Sequence, residues 1–123
     1  MKFLINGEFI DKSDHYDVIN PYNGEIVDTV PIAYRSDVDN AVEAANNAKK
    51  ALNDLSAKEV SINLQNACEE LEKESKNIAK LIVAEAGKPY KQAIGELQRS
   101  VETLQFAAEE AKRIYGESVP IDA

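Results

Sequence analysis

The side chains best suited to nucleophilic or general-base chemistry in this sequence are one thiol and one imidazole. Cys68 is the single cysteine and His15 the single histidine. A catalytic thiol needs a neighbouring base or a helix N-terminus, but Cys68 lies in the middle of a predicted helix beside apolar residues. His15 is predicted to lie in a solvated loop between two pairs of strands. We therefore interpret Cys68 as a buried structural cysteine, and we predict no catalytic residue in this chain.

Motifs that bind cofactor phosphates do not occur in the sequence. The five glycines are scattered, and they form neither a Gly-x-Gly-x-x-Gly run nor a P-loop. We therefore predict no cofactor-binding residue, and we expect no nucleotide cofactor to be bound by this chain alone.

The composition is that of a folded, acidic protein. Of 123 residues, 44% are hydrophobic and 29% are charged, which is too apolar for intrinsic disorder. The 14 basic and 22 acidic residues give a net charge of −8 and form no basic stripe, which argues against nucleic acid as a partner. No segment reaches the roughly 20 apolar residues of a membrane span, and the opening apolar run is too short for a signal peptide. We expect a cytoplasmic protein that contacts no membrane.

Two β-hairpins are predicted in residues 1–35. Asn6-Gly7 favours a type I′ turn, because both turn positions tolerate positive φ. In the second hairpin, Pro21 removes a donor and Gly24 permits the reversal of the chain. The four predicted strands are Phe3–Ile5, Glu8–Ile10, Tyr16–Ile19 and Glu25–Val30.

Three amphipathic helices are predicted in residues 36–116. Ser36 is the predicted N-cap of the first, which runs over residues 37–53. Ser56 and Glu59 have the spacing of a capping box at the start of the second. The residues of three acidic runs in the last two helices are interleaved with lysine, which is typical of a solvated face. They are Glu69, Glu70, Glu72, Glu74, Glu109 and Glu110.

The third helix follows a tight corner. Gly87 is the predicted left-handed residue that ends the second helix, and Pro89 suits the first turn of the third. Gly116 is predicted to end that third helix, and residues 117–123 form an extended exit. The apolar stripe of the third helix steps by three and four residues: Tyr90, Ile94, Leu97, Val101, Leu104, Ala108, Ala111 and Tyr115.

The corner segment 85–89, Glu-Ala-Gly-Lys-Pro, has two interpretations. It places a carboxylate and a lysine between two long helices, and on physical grounds alone it is a helix–turn–helix corner. The alternative is that the corner contributes to a functional site.

Three segments, in order along the chain, resemble the aldehyde dehydrogenase superfamily. The turn 20–25 resembles its Asn-Pro-x-x-Gly-Glu turn, and the corner 85–89, with Ala93 and Glu96 downstream, resembles its Glu-x-Gly-Lys-Pro segment. Segment 106–117 resembles the end of a helix in the succinate-semialdehyde and lactaldehyde dehydrogenase branches. The opening Ile-Asn-Gly-Glu-Phe is also similar to the family's beginning, so the resemblance covers the whole chain.

The resemblance implies an α+β fold, in which N-terminal β-hairpins precede three α-helices, as in the N-terminal part of the cofactor-binding domain. It further implies an enzyme that oxidises a small aldehyde with NAD or NADP, through a cysteine thiohemiacetal and hydride transfer. The family's oxyanion-hole asparagine, cofactor loop, glutamate base and catalytic cysteine are expected beyond Ala123. Cys68 lacks the family's Gly-Gln-x-Cys context. The chain is therefore expected to be inactive scaffold, with its third helix beside the aldehyde entrance tunnel.

A structural monovalent cation is also implied by the resemblance. Some relatives bind it through main-chain oxygens just before the Asn-Pro turn and through an acid just before Gly-Lys-Pro. The matching positions are Val18, Ile19 and Glu85. Oxygen ligands suit a hard cation, and a further ligand would come from outside this chain.

Two functions are compatible with these observations. The preferred one is a single partial domain, residues 1–123, completed by the rest of an aldehyde dehydrogenase polypeptide that forms a homo-oligomer. The alternative is a stand-alone helical interaction module, because the stripes of the second and third helices could also associate with another copy. Phe106 and Ile114 lie off the main stripe of the third helix, so we expect open apolar surface and self-association of the isolated chain.

Overall fold

The computed structural model describes residues 1–121 and has the expected α+β architecture. Two separate antiparallel strand pairs come first and three helices follow. The strands are β1 Phe3–Ile5, β2 Glu8–Ile10, β3 His15–Ile19 and β4 Ile26–Pro31, with β1 paired to β2 and β3 to β4. Asn6 and Gly7 both have positive φ, 52° and 80°, which confirms the tight turn of the first hairpin.

The helices are α1 Arg35–Asn53, α2 Ala57–Ala86 and α3 Tyr90–Glu110, and a 3₁₀ turn, Ala111–Arg113, follows α3. The capping box of α2 is confirmed. The Glu59 N–H donates to Ser56 Oγ at 3.2 Å, and the Ser56 N–H donates to Glu59 Oε2 at 2.8 Å. Gly87 follows α2 in the left-handed conformation, at φ 64°, as predicted.

The predicted start of α1 was wrong by two residues. The N-cap is Tyr34, and Ser36 lies inside the helix. Asp37 explains the shift, because its carboxylate accepts the Tyr34 N–H at 2.9 Å and so satisfies a backbone donor at the cap. The same carboxylate pairs with Lys12 at 2.7 Å, which fixes the start of α1 to the loop after β2.

The predicted end of α3 was also wrong. The α-helix ends at Glu110, and Ile114 is already extended at ψ 93°, so Gly116 does not end the helix. The 3₁₀ turn packs against α2, whereas the residues beyond it have lost that support: Ile114 and Tyr115 are 86% and 81% exposed. Residues 117–121 form no regular secondary structure, and positions 122–123 of the predicted exit lie outside the described residues.

The core lies between α2 and α3. Ala79, Ala93 and Leu97 are buried at its centre, and partly buried side chains surround them: Leu71, Ile78, Ile82, Val83 and Ile94. The stripe predicted for α3 therefore faces α2 over most of its length. By contrast, α1 packs mainly against β1, and its own stripe is open, with Val38, Val42 and Leu52 more than half exposed.

Candidate functional site

The Asn-Pro turn and the Gly-Lys-Pro corner, far apart in sequence, meet in space. A β-carbon placed on Gly87 would lie only 3.0 Å from Cγ of Pro21. Glycine is therefore required at this position for two reasons: the backbone is left-handed, and the proline ring approaches too closely for a side chain. The contact brings the segment after β3 against the end of α2.

Hydrogen bonds within the turn hold Pro21 in place. The Gly24 N–H donates to the Asn20 carbonyl at 2.9 Å, and the Asn20 N–H donates to the Glu25 carbonyl at 2.8 Å. The Asn20 side chain accepts the Tyr22 N–H at 2.9 Å, which is an Asx-type turn. Gly24 supplies the positive φ, 75°, that completes the reversal.

The three residues expected to bind a cation flank this contact. Val18 and Ile19 end β3, and the strand register shifts between them: Val18 pairs with Asp28, but Ile19 pairs with Ile26. One extra residue on β4 thus produces a bulge next to the turn. Glu85 lies two residues before Gly87, is partly buried, and makes no side-chain hydrogen bond or ion pair with any residue in the described range.

The chemistry of this donor set suits a monovalent cation better than a transition metal. Two main-chain carbonyls and one carboxylate supply oxygen alone, and thiolate and imidazole ligands are absent from the set. Within residues 1–121, no group of three or more His, Cys, Asp and Glu side chains could hold a metal ion. The partly buried carboxylate of Glu85 is the one formal negative charge of the set.

Lys88 pairs with a residue of α3 and not with Glu85. Its ammonium group pairs with the carboxylate of Glu96 on α3, and both side chains are about one-third exposed, at 32% and 39%. The hydrogen bond from Lys88 lowers the pKa of Glu96, and the charges of Lys88 and Arg99 act in the same direction. No role for this pair was predicted from the sequence. Its eight-residue separation runs from the corner into α3 and is not one of the three- or four-residue spacings that pair side chains on a helix.

The structure places Cys68 where a structural cysteine is expected. Its side chain is buried, with 5% of its area exposed, and Sγ lies 3.6 Å from the Val101 carbonyl of α3. No histidine is near it, because the single histidine lies in the β-region. Activation of this thiol by a neighbouring base is therefore not supported by the packing of α2 on α3.

His15 was predicted in a loop but is the first residue of β3, paired with Pro31. The strand begins one residue earlier than predicted, and the His15 ring donates through Nε2 to Asp11 Oδ1 at 2.9 Å. The residues of the three acidic runs on α2 and α3 are exposed, as predicted, and so is Phe106, at 68%. A helix long and apolar enough to cross a membrane is not found among the described residues.

The fold defines an α+β segment in which two strand pairs precede three helices, and comparison with known proteins identifies its family. The sequence model of the aldehyde dehydrogenase family matches residues 9–123, so the chain belongs to this family. The lactaldehyde dehydrogenase of Methanococcus aeolicus is 36% identical over 119 residues, which are 97% of this chain and 25% of the relative. The succinate-semialdehyde dehydrogenase (NADP(+)) GabD of Escherichia coli is 37% identical, over 95% of this chain and 25% of the relative.

A solved structure shows the same fold. Aldehyde dehydrogenase 21 from Physcomitrella patens, in complex with the reaction product succinate, superposes with a TM-score of 0.94 and 36% identity. The superposition covers 98% of this chain and 25% of the plant protein. The chain thus spans about a quarter of the length of the relatives it matches, and the predicted resemblance to the N-terminal segment of the family is confirmed.

Proposed function

We propose that this chain is the N-terminal part of the cofactor-binding domain of an aldehyde dehydrogenase that oxidises a small aldehyde to a carboxylic acid with NAD or NADP. The observation that carries the proposal is the family match over residues 9–123, supported by the superposition at a TM-score of 0.94. Lactaldehyde and succinate semialdehyde, named for two relatives, are both small polar aldehydes. The substrate is expected in that class.

The role of the chain within such an enzyme is that of scaffold. The oxidation consumes an aldehyde, water and NAD(P)⁺ and yields an acid, NAD(P)H and a proton, and it needs a nucleophile and a base. Cys68 is buried against α3 and has no base beside it, so it is a poor candidate for the nucleophile. The helices instead position and cover other parts of the domain, in a cytoplasmic homo-oligomer.

An activity assay tests this role. The 123-residue chain is expected to give no reduction of NAD or NADP with lactaldehyde or succinate semialdehyde above a protein-free blank. Steady reduction that disappears in Cys68→Ala would contradict the scaffold role and would make Cys68 the nucleophile. Cys68→Ser retains a polar group at this position and is the matched control for effects on folding.

A structural monovalent cation is proposed at Val18, Ile19 and Glu85. The support is threefold: the turn after β3 contacts the end of α2, the donors are all oxygen, and Glu85 lacks a partner among the described residues. The cation would screen the Glu85 carboxylate and tie the two segments together. The thermal midpoint should therefore be higher in potassium chloride than in tetramethylammonium chloride, and Glu85→Gln should remove that difference.

A second function is favoured by the open apolar surface. Val38, Val42 and Leu52 on α1 and Phe106 on α3 are each more than half exposed, which suits a helical interaction module. Both functions predict self-association of the isolated chain, measurable by light scattering at micromolar concentration with a hydrophobic dye. The gene sequence distinguishes the two functions. A reading frame that continues past codon 123 into a cofactor-binding sequence supports the dehydrogenase, and a natural stop codon there supports the module.

A further inference from the structure

Glu85 and Lys88 lie on opposite sides of the break at Gly87. In an uninterrupted helix their three-residue separation would bring a carboxylate and an ammonium group together as an ion pair. The left-handed Gly87 ends α2 between them, and Lys88 lies in the short loop before Pro89, the N-cap of α3. The corner therefore separates two side chains that would otherwise neutralise each other.

Glu96 holds the Lys88 ammonium group and so maintains this separation. A lysine side chain has four rotatable methylene groups, so a break in the backbone would not by itself keep its ammonium group away from a carboxylate three residues earlier. The ammonium group of Lys88 is instead bound by Glu96, which lies in α3, the helix that follows the corner. The next lysine on α2, Lys80, is exposed and five residues before Glu85, a spacing that places it on a different side of the helix.

We propose that Glu96 is a positioning residue for the cation site: by binding Lys88, it keeps a lysine ammonium off Glu85, so that a monovalent metal ion neutralises this carboxylate instead. The inference rests on the cation site proposed above. A lysine ammonium and a potassium ion carry the same charge, so they compete for the same carboxylate. The lowered pKa of Glu96 keeps it ionised at neutral pH, which the retention of Lys88 requires.

Titration of the full chain with potassium chloride tests the proposal, with tetramethylammonium chloride added to hold the ionic strength constant. The readout is the thermal midpoint, and the quantity compared is the potassium concentration that gives half of the stabilisation. Glu96→Gln should raise this concentration about two- to fivefold, the range expected when one partly exposed ion pair is exchanged for another. The double variant Lys88→Met with Glu96→Gln should return it to the wild-type value.

Glu102→Gln is the matched control, since it removes the same charge from an exposed glutamate of α3 that has no ion pair among the described residues. An equal shift in Glu102→Gln and Glu96→Gln would overturn the proposal, because it would indicate a general effect of charge. Lys88→Met alone gives a second test, and a rise in the half-stabilising concentration in this variant would also overturn it.

The two proposals fail in different ways. A wild-type potassium dependence that is lost in Glu85→Gln but unchanged in Glu96→Gln would retain the cation site and refute the role of Glu96. A wild-type midpoint that is equal in both salts would refute the cation site, and the role of Glu96 with it.

Discussion

The α2–α3 hairpin and the N-terminal region, residues 1–56, are held together by different forces. In the hairpin, apolar side chains of two long helices bury one another, and Ala79, Ala93 and Leu97 are nearly inaccessible. In residues 1–56 only Pro31 and Asp37 are buried. Polar contacts join several segments of that region. They include Lys12 with Asp37, Tyr34 with Asp14, and the N-terminal amine with Asp28.

The difference implies that the hairpin is stable by itself, whereas the N-terminal region depends on a partner that covers it. Burial of apolar area is the main favourable term in folding, whereas exposed ion pairs contribute little. The hairpin therefore carries most of the stability within this chain. The N-terminal region has an open apolar groove between β1 and α1, about 400 Å³ in volume and lined by Phe3, Ile5, Val38 and Val42 among others. We expect it to gain order when this groove is covered.

The largest expected effect comes from truncating the core of the hairpin. Leu97→Ala should lower the free energy of unfolding by about 2–4 kcal/mol, because it removes buried methyl groups and leaves a cavity. Leu52→Ala is the matched control on α1, since this leucine is 62% exposed, and it should cost less than about 0.5 kcal/mol. Chemical denaturation measures both. Equal losses would remove the distinction between the two regions.

The next effect lies at the contact between the regions. Gly87→Ala should destabilise the chain by about 1–2 kcal/mol, since alanine is strained at φ 64° and its β-carbon would press on Pro21. Gly95→Ala is the control, because Gly95 is helical and has no atom within 4 Å of an added β-carbon. That change should stabilise by about 0.5–1 kcal/mol. A thermal midpoint that falls equally in both variants would contradict this description of the corner.

Helix capping sharpens the comparison by a smaller amount. Ser56→Ala should cost about 1 kcal/mol, because the serine caps α2 through its side chain. Ser36→Ala should be neutral to within about 0.5 kcal/mol, since Ser36 lies inside α1 and not at its N-cap. Thermal unfolding of the two variants compares them directly. A large loss of stability in Ser36→Ala would indicate that Ser36 is the N-cap of α1, as predicted from the sequence.

The smallest effect is a dependence on pH in the N-terminal region. The hydrogen bond from Lys12 and that from the Tyr34 backbone lower the pKa of Asp37 in the folded chain. A lowered folded-state pKa contributes stability that is present above the unfolded value, about 3.9, and is lost as the pH falls through the folded value. Asp37→Asn should therefore show a smaller loss of thermal midpoint between pH 6 and pH 3, on the order of a few degrees less.

Asp39→Asn is the control for this titration, because Asp39 is 70% exposed and reaches Arg35 only at 4.0 Å. It should keep the wild-type pH dependence. If both aspartate variants flatten the curve equally, the Lys12–Asp37 pair has no specific role in holding α1.

Most of the fold could be predicted from local signals. The Asn-Gly turn, the Ser56 capping box and the left-handed Gly87 are each dictated by residues adjacent in sequence. The errors arose where tertiary contacts decide. Asp37, which accepts the Tyr34 N–H at the start of α1, is also bound by Lys12, 25 residues away, and α3 ends where its support from α2 ends. His15 joins β3 through its pairing with Pro31.

The position of the candidate site could be predicted from the sequence, but the contacts that surround it could not. The resemblance indicated Val18, Ile19 and Glu85 as cation ligands, and that role stays a prediction. The contact of Pro21 with Gly87 and the pairing of Lys88 with Glu96 depend on how the chain turns at the corner. Neither follows a helical or strand spacing, so no periodicity in the sequence could reveal them.

Amide hydrogen exchange of the 123-residue chain tests most directly the claim that the α2–α3 hairpin is a self-supporting scaffold. We expect amides in residues 61–108 to exchange at least about tenfold more slowly than those of α1 and of both strand pairs, because local opening costs the least free energy where little apolar area is buried. Equal protection of α1 and α3 would contradict it, and would mean that the N-terminal region is stabilised as strongly as the hairpin.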